Sequence, residues 1–165
     1  MQLAVGLGAS LGNRLATLER TLHRLHAAPG WSLLRVSRWY RSPPMPGGTA
    51  AGWFLNGVAL FEVDENPEAA LVRCRRLEAE AGRRRDRHWA DRPLDLDLLW
   101  WQGGTVASET LALPHPGIAR RAFVYWPLAE VLPGPEADWR ASCDAVPPPH
   151  AAWPIAAFAW TRPTP

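Results

Sequence analysis

An α+β fold, a mostly antiparallel sheet with helices packed on it, is what this sequence predicts, and three observations predict it. Strand-like and helix-like segments alternate along the chain without the regular βαβ rhythm of a doubly wound sheet. Two segments carry helical periodicity and begin with capping residues. A third, Leu94-Asp95-Leu96-Asp97-Leu98, alternates strictly and reads as a strand with one apolar and one acidic face.

Taken in order, Leu3 to Leu7 is a short apolar run that opens the sheet and ends in a Gly-rich turn, Gly6-Leu7-Gly8-Ala9-Ser10-Leu11-Gly12. That turn lacks the lysine of a P-loop and the full spacing of a dinucleotide fingerprint. Asn13 caps a helix whose Leu15, Leu18, Leu22 and Leu25 share one face, and Pro29-Gly30 ends it. Trp31 to Tyr40 has strand character. Ser42-Pro43-Pro44-Met45-Pro46-Gly47-Gly48 is irregular, because proline lacks the donor and glycine the stiffness that regular structure needs. Trp53 to Val63 is the second long strand. Asn66-Pro67 then supplies both N-cap and N1 proline for a helix with Leu71, Cys74 and Leu77 at helical spacing and Gly82 as its stop. After an arginine-rich loop, Arg83 to His88, come the Asp95/Asp97 strand, a Gly103-Gly104 turn and a short strand near Leu111 to Leu113. Pro116 to Arg121 reads as a helical turn, followed by the apolar stretch Phe123 to Leu128. Beyond Pro133 the prolines predict extended chain, which Trp139, Trp153 and Trp160 would pack onto the domain.

Length and composition bound the rest. A chain of 165 residues, 47% hydrophobic and 21% charged, is expected to form one globular domain over 1–165. No apolar run approaches the ~20 residues of a membrane helix and no signal-peptide pattern opens the chain, so a cytoplasmic protein is expected. Cys74 and Cys143 have no metal-type spacing and no disulfide framework around them. All 18 basic residues are arginine. From Arg73 to Arg92 eight arginines face four acids, a local excess of +4, so the partner of that patch is expected to be an anion such as a nucleotide or nucleic acid.

The chemistry centres on Asp95 and Asp97. On one strand face they lie ~7 Å apart, and two such carboxylates call for a cation between them. An oxygen-rich pair suits Mg²⁺, which keeps several waters and shares its remaining positions with substrate phosphates. The competing reading is an edge strand with one solvated acidic face.

The surrounding sequence decides between these. Glu78, Gly82-Arg83, Arg85, Trp89, Arg92, Leu94-Asp95-Leu96-Asp97, Leu113-Pro114-His115-Pro116 and Arg121-x-Phe123-Val124-x-x-Pro127-Leu128 follow one another in order. Before them stand Gly8-x-x-Leu11-Gly12, Tyr40-x-Ser42-Pro43-Pro44 and Phe54-Leu55-Asn56. From about Leu3 to Pro133 the chain resembles the 6-hydroxymethyl-7,8-dihydropterin pyrophosphokinases of folate synthesis.

The resemblance implies a three-layer α-β-α sandwich with a ferredoxin-like core, and transfer of pyrophosphate from ATP to a hydroxymethyldihydropterin with release of AMP. It implies two Mg²⁺ ions on Asp95 and Asp97, and ATP as co-substrate. It assigns phosphate contacts to Arg83, Arg85, Arg92 and Arg121, a nucleotide contact to His115, and adenine contacts to Leu98, Leu111 and Ala112. The pterin would stack between Phe54 and Phe123, be read by Asn56 and by the chain at Ser42, Pro43, Pro44 and Met45, and be covered by Trp89. A monomer without membrane or nucleic-acid partners is expected.

The chain also departs from the family's usual pattern. Ala9-Ser10 replaces a Ser-Asn pair, Arg75 stands at an amide position, and His88, Ala90, Asp91 and Pro93 alter the approach to the Asp95 strand. Asp91 adds a negative charge near the triphosphate position, expected to weaken it unless an arginine pairs with it. These departures motivate an alternative class, a divergent pterin- or nucleotide-binding relative with weak or no catalysis. A nucleic-acid-binding module would need aromatics interleaved with basic residues on strands. Here the arginines cluster in one loop before a carboxylate pair.

Overall fold

The computed structural model describes residues 1–83, 90–132, 134, 138–140 and 152–156. Its elements are β1 (Gln2–Ala9), α1 (Arg14–His26), β2 (Trp31–Val36), β3 (Trp39–Ser42), β4 (Phe54–Val63), α2 (Pro67–Glu80), β5 (Asp95–Trp101), β6 (Val106–Ala107), β7 (Ala112–Leu113), α3 (Ala122–Val131) and β8 (Trp153–Ala156). The fold is α+β, and every strand pair among the described residues is antiparallel.

The sheet runs β5-β1-β4-β3-β8, with β2 also paired to β4. Ten residues make β4 long enough to hold β2 along Ala59–Val63 and β3 along Phe54–Asn56. The single strand expected over Trp31 to Tyr40 is therefore two. The chain breaks at Ser37, whose hydroxyl accepts from the Val58 N–H at 2.9 Å and donates to the Arg38 carbonyl at 2.7 Å. Side chain–backbone bonds of this kind offer serine an alternative to the ladder.

Alternation splits the apolar residues of β1 between two cores. Leu3, Val5, Leu7 and Ala9 join Leu94, Leu96 and Leu98 beneath α1 and α2, with Leu18, Leu22 and Leu25 fully buried. Ala4, Val58, Leu60 and Leu99 meet Val124, Tyr125, Leu128 and Val131 of α3. At ~1.5–3 kcal/mol per buried large side chain, those α3 contacts outweigh the ~3 kcal/mol that Pro127 costs inside a helix. Leu15, expected on the buried face of α1, is instead exposed in its first turn. Both long helices begin as expected: Asn13 Oδ1 accepts from Ala16 and Asn66 Oδ1 from Ala69. No helix among the described residues is long and apolar enough to cross a membrane.

One polar tie fixes α3 to the sheet. Glu130 accepts from the Arg38 amide and guanidinium, both at 2.8 Å, and from the Tyr40 hydroxyl. Burial and the Glu130 hydrogen bond push the Tyr40 hydroxyl up to about 12. Burial acts to raise the Glu130 carboxyl, but the Arg38 and Tyr40 bonds prevail and hold it below its ordinary value. A depressed carboxylate stabilises the fold above its unfolded pKa and loses that contribution as pH falls through the native value. Glu130→Gln is thus expected to lower unfolding free energy at pH 7 by about 1 kcal/mol, the difference between charged and neutral acceptors. In urea titrations the gap from the unsubstituted protein should narrow as pH falls below about 4.3, the ordinary glutamate value, and close below the depressed native one.

Candidate active site

The register of the sheet places the candidate residues in rows. Asp95 lies beside Gly8, and Gly8 beside Asn56; Asp97 lies beside Gly6, and Gly6 beside Val58. Asp95, Gly8 and Asn56 therefore share the α3 side of the sheet. A Cβ at Gly8 would stand 3.1 Å from Asn56 Oδ1 and 3.6 Å from Asp95 Cβ, so only glycine leaves that lane open.

Three arginines converge on the acidic face. Arg83 pairs with both Asp95 and the buried Glu78. Arg92 Nη1 reaches Asp95 Oδ2 at 3.0 Å, and Arg121 Nη1 reaches Asp97 Oδ2 at 3.5 Å. Among the described residues β5 is an edge strand, as the competing reading required, and its acidic face is partly open to solvent but paired with guanidinium groups. Burial and the neighbouring Asp95 charge push the Asp97 carboxyl above its ordinary value, against the pull of Arg121 and Arg83. A cation at this carboxylate would favour its charged form.

Among the described residues no three His, Cys, Asp and Glu side chains form a metal cage. A two-carboxylate site that shares its ion with phosphate oxygens does not require one. Asp95 and Asp97 fit a Mg²⁺ site of that type.

His115 follows Leu113–Pro114, with its amide donating to the Leu99 carbonyl at 2.8 Å. Burial, helped by the Arg121 charge, lowers its pKa against the pull of Asp97 and keeps the ring neutral. The Gly117 N–H donates to Nδ1 at 2.8 Å, so the neutral ring carries its proton on Nε2. A Cβ at Gly117 would lie 2.9 Å from the His115 ring and 3.1 Å from Arg121 Cζ, so glycine permits both to pack here.

Two cavities flank these residues. One, about 320 Å³, is lined by Arg83, Asp97, Leu98, Leu111, Ala112 and His115, together with Arg75 and Ser108–Thr110. The other, about 700 Å³, is lined by Ser42, Pro43 and Pro44 together with Arg41, Ala51, Trp53 and Pro154. Asn56 is buried and donates to Ser42 Oγ at 2.9 Å. Phe54 lies beneath Arg92, with Cζ 5.6 Å from the ring centroid. Phe123 packs against the α3 core and against the Tyr40 cluster. Met45 lines neither cavity; its carbonyl accepts from Gly48 at 3.3 Å. Arg85 and Trp89, with Arg87 and His88, lie outside the described residues.

The family model for 7,8-dihydro-6-hydroxymethylpterin-pyrophosphokinase (HPPK) matches residues 4–133. The chain belongs to this family. It is 40% identical over 129 residues to the 2-amino-4-hydroxy-6-hydroxymethyldihydropteridine pyrophosphokinase of Methylorubrum extorquens, covering 78% of this chain and 81% of that one. To the enzyme of the same name from Pseudomonas aeruginosa it is 34% identical, covering 78% and 79%. To that of Bacillus subtilis it is 32% identical, covering 77% and 75%.

The candidate site holds a further acid. Glu78, not among the predicted site residues, accepts from the Leu96 N–H at 2.8 Å as well as from Arg83, tying α2 to β5 behind the acidic face. Its signal was an acid one turn after Cys74 on the apolar stripe of α2. Removing one partner of a buried pair costs ~3–5 kcal/mol because the other charge is stranded. Glu78→Ala is expected to fall near the lower end, about 3 kcal/mol, since Arg83 keeps Asp95. Glu78→Gln, which still accepts from Leu96, should cost less; urea unfolding at pH 7 measures both.

Proposed function

We propose that this chain transfers the pyrophosphoryl group of ATP to the hydroxymethyl oxygen of 6-hydroxymethyl-7,8-dihydropterin, releasing AMP, as a step of folate synthesis. The observation that carries the site assignment is one continuous patch. Asp95 and Asp97, held by Arg83, Arg92 and Arg121, lie between a cavity with His115 and a rim built from Ser42, Phe54 and Asn56.

The hydroxymethyl oxygen attacks the β-phosphorus, the bond from that phosphorus to the α–β bridging oxygen breaks, and the bridging oxygen leaves with AMP. The hydroxyl proton passes to solvent. The arginines supply bidentate donors to the triphosphate and remain charged at any physiological pH. His115, neutral with Nε2–H as its donor, binds a phosphate oxygen without adding charge. Leu98, Leu111 and Ala112 hold the adenine by apolar and backbone contact.

On the pterin side, Phe54 and Phe123 supply flat apolar faces and Asn56 an amide edge, while Ser42, Pro43, Pro44 and Met45 offer backbone groups. Ser42 fixes the Asn56 amide, so the pair is pre-organised before ligand arrives. Arg85 and Trp89 are assigned their phosphate and pterin-covering roles by family resemblance.

Asp95 and Asp97 would hold two Mg²⁺ ions, which when bound neutralise triphosphate charge and align it for displacement. The side chains themselves keep a negative surface at that point, and burial of Asp97 favours its exchange of arginine partners for a stronger cation.

Two cores on opposite faces of the sheet support the finer description, a three-layer α-β-α sandwich with a ferredoxin-like centre, as one domain. The reading takes a cytoplasmic monomer as the working unit.

AMP formation from Mg²⁺-ATP, with and without the pterin, tests the assignment. Pterin-dependent AMP is expected, and Asp97→Ala should retain the fold by circular dichroism while losing at least about 10²-fold in rate. A variant that turns over at the unsubstituted rate would remove the metal role.

A further inference from the structure

Asp91 engages a group that no part of the mechanism above uses. Its Oδ2 accepts from the Ala51 N–H at 3.0 Å, forty positions earlier in the chain. Ala51 and Gly52 end the connection that runs from β3, past Ser42, Pro43 and Pro44, into Phe54 of β4. The other oxygen, Oδ1, is buried and lies 3.4 Å from where a Cβ on Gly52 would stand. Asp91 thus packs against the backbone of that connection at both Ala51 and Gly52.

The same junction is reinforced from a third segment. Ser10, nearly fully buried, accepts from the Arg92 N–H on Oγ at 2.9 Å, and its own amide donates to the Arg92 carbonyl at 3.0 Å. Arg14 Nε donates to the Ser10 carbonyl at 3.0 Å while its guanidinium lies 4.0 Å from the centre of the Trp53 ring. The Ala51 amide, with lesser help from Ser10, Gly52 and the Arg14 charge, keeps the Asp91 carboxyl below its ordinary value and hence ionised at neutral pH. Asp91 does not line the cavity that holds His115 and Asp97, so its charge is spent on the backbone at 51–52 instead of opposing a triphosphate there.

We propose that Asp91 is a positioning residue that clasps the 43–53 connection to the segment entering β5, fixing the pterin rim relative to Arg92. The geometry supports this directly. Arg92, the next residue, touches Asp95 on one side and covers Phe54 on the other. A clasp at Asp91 thus sets the separation between the aromatic face that would receive the pterin and the guanidinium that would receive phosphate. The inference rests on the function proposed above and assigns to Asp91 control of pterin affinity.

The test compares Asp91→Ala, which loses the acceptor, with Asp91→Asn, which keeps one. Losing a hydrogen bond to a charged acceptor corresponds to about tenfold in an equilibrium constant. In steady-state assays with Mg²⁺-ATP, Asp91→Ala should raise the pterin KM by about tenfold with kcat changed less than about threefold. Asp91→Asn should restore a KM within about threefold of the unsubstituted enzyme.

Hydrogen exchange of the ligand-free full chain supplies a readout independent of turnover. The segment at 48–53 should exchange faster in Asp91→Ala and be protected again in Asp91→Asn. Unchanged exchange and unchanged pterin KM in Asp91→Ala would overturn the clasp. So would KM and kcat losses in both variants that merely follow a lowered melting temperature. If the unsubstituted protein forms no pterin-dependent AMP, the proposed function falls, and the exchange comparison still decides whether the clasp exists.

Discussion

Two carboxylates on one strand face, with a third buried behind them, set the electrostatic problem that the rest of this structure answers. Asp95, Asp97 and Glu78 crowd one end of β5, and Arg83, Arg92 and Arg121 pair with them. The guanidinium groups arrive from three different places: the end of α2, the segment before β5, and the turn before α3. Like charges left unpaired in a part-buried cleft would destabilise the sheet edge. The arginines therefore hold the fold and the site together with the same contacts.

This shared duty explains why the neighbouring elements are arranged as they are. α2 delivers Glu78 to the back of β5, where it satisfies the Leu96 amide and orients Arg83. β1 contributes glycines at 6 and 8, so a strand lies between Asp95 and Asn56 without side chains filling the space above it. α3 closes the same face and is tied to β3 through Glu130, Arg38 and Tyr40. A phosphate ligand with its cation would exchange these arginine–carboxylate pairs for arginine–phosphate and cation–carboxylate pairs. Such an exchange would conserve charge balance, and so would let a highly charged ligand enter a part-buried cleft.

Much of this was legible in the sequence because it depends on local rules. The Asp–Leu alternation of β5 fixed which face carried the acids, and Asn13 and Asn66-Pro67 marked both long helices before any contact was known. Other features depend on partners distant in sequence. The break between β2 and β3 arises from Ser37 bonding to Val58, which no local pattern announces. The apolar stretch at Phe123 carries a proline, so its helical state follows from burial of Val124, Tyr125, Leu128 and Val131 between α3 and the sheet. Asp91 read as a negative charge near the triphosphate position, because its partner, the Ala51 amide, lies forty residues away. Local chemistry announced the acids and the arginines; only the register showed which of them meet.

The most direct test is calorimetric binding of a non-hydrolysable ATP analogue with and without Mg²⁺. If the β5 carboxylates trade their arginines for a cation shared with phosphate, Mg²⁺ should tighten binding by at least about tenfold, equivalent to 1.4 kcal/mol. That gain should vanish in Asp97→Asn. Equal affinity with and without Mg²⁺ would contradict the account, because the acidic face would then serve only to anchor Arg83, Arg92 and Arg121.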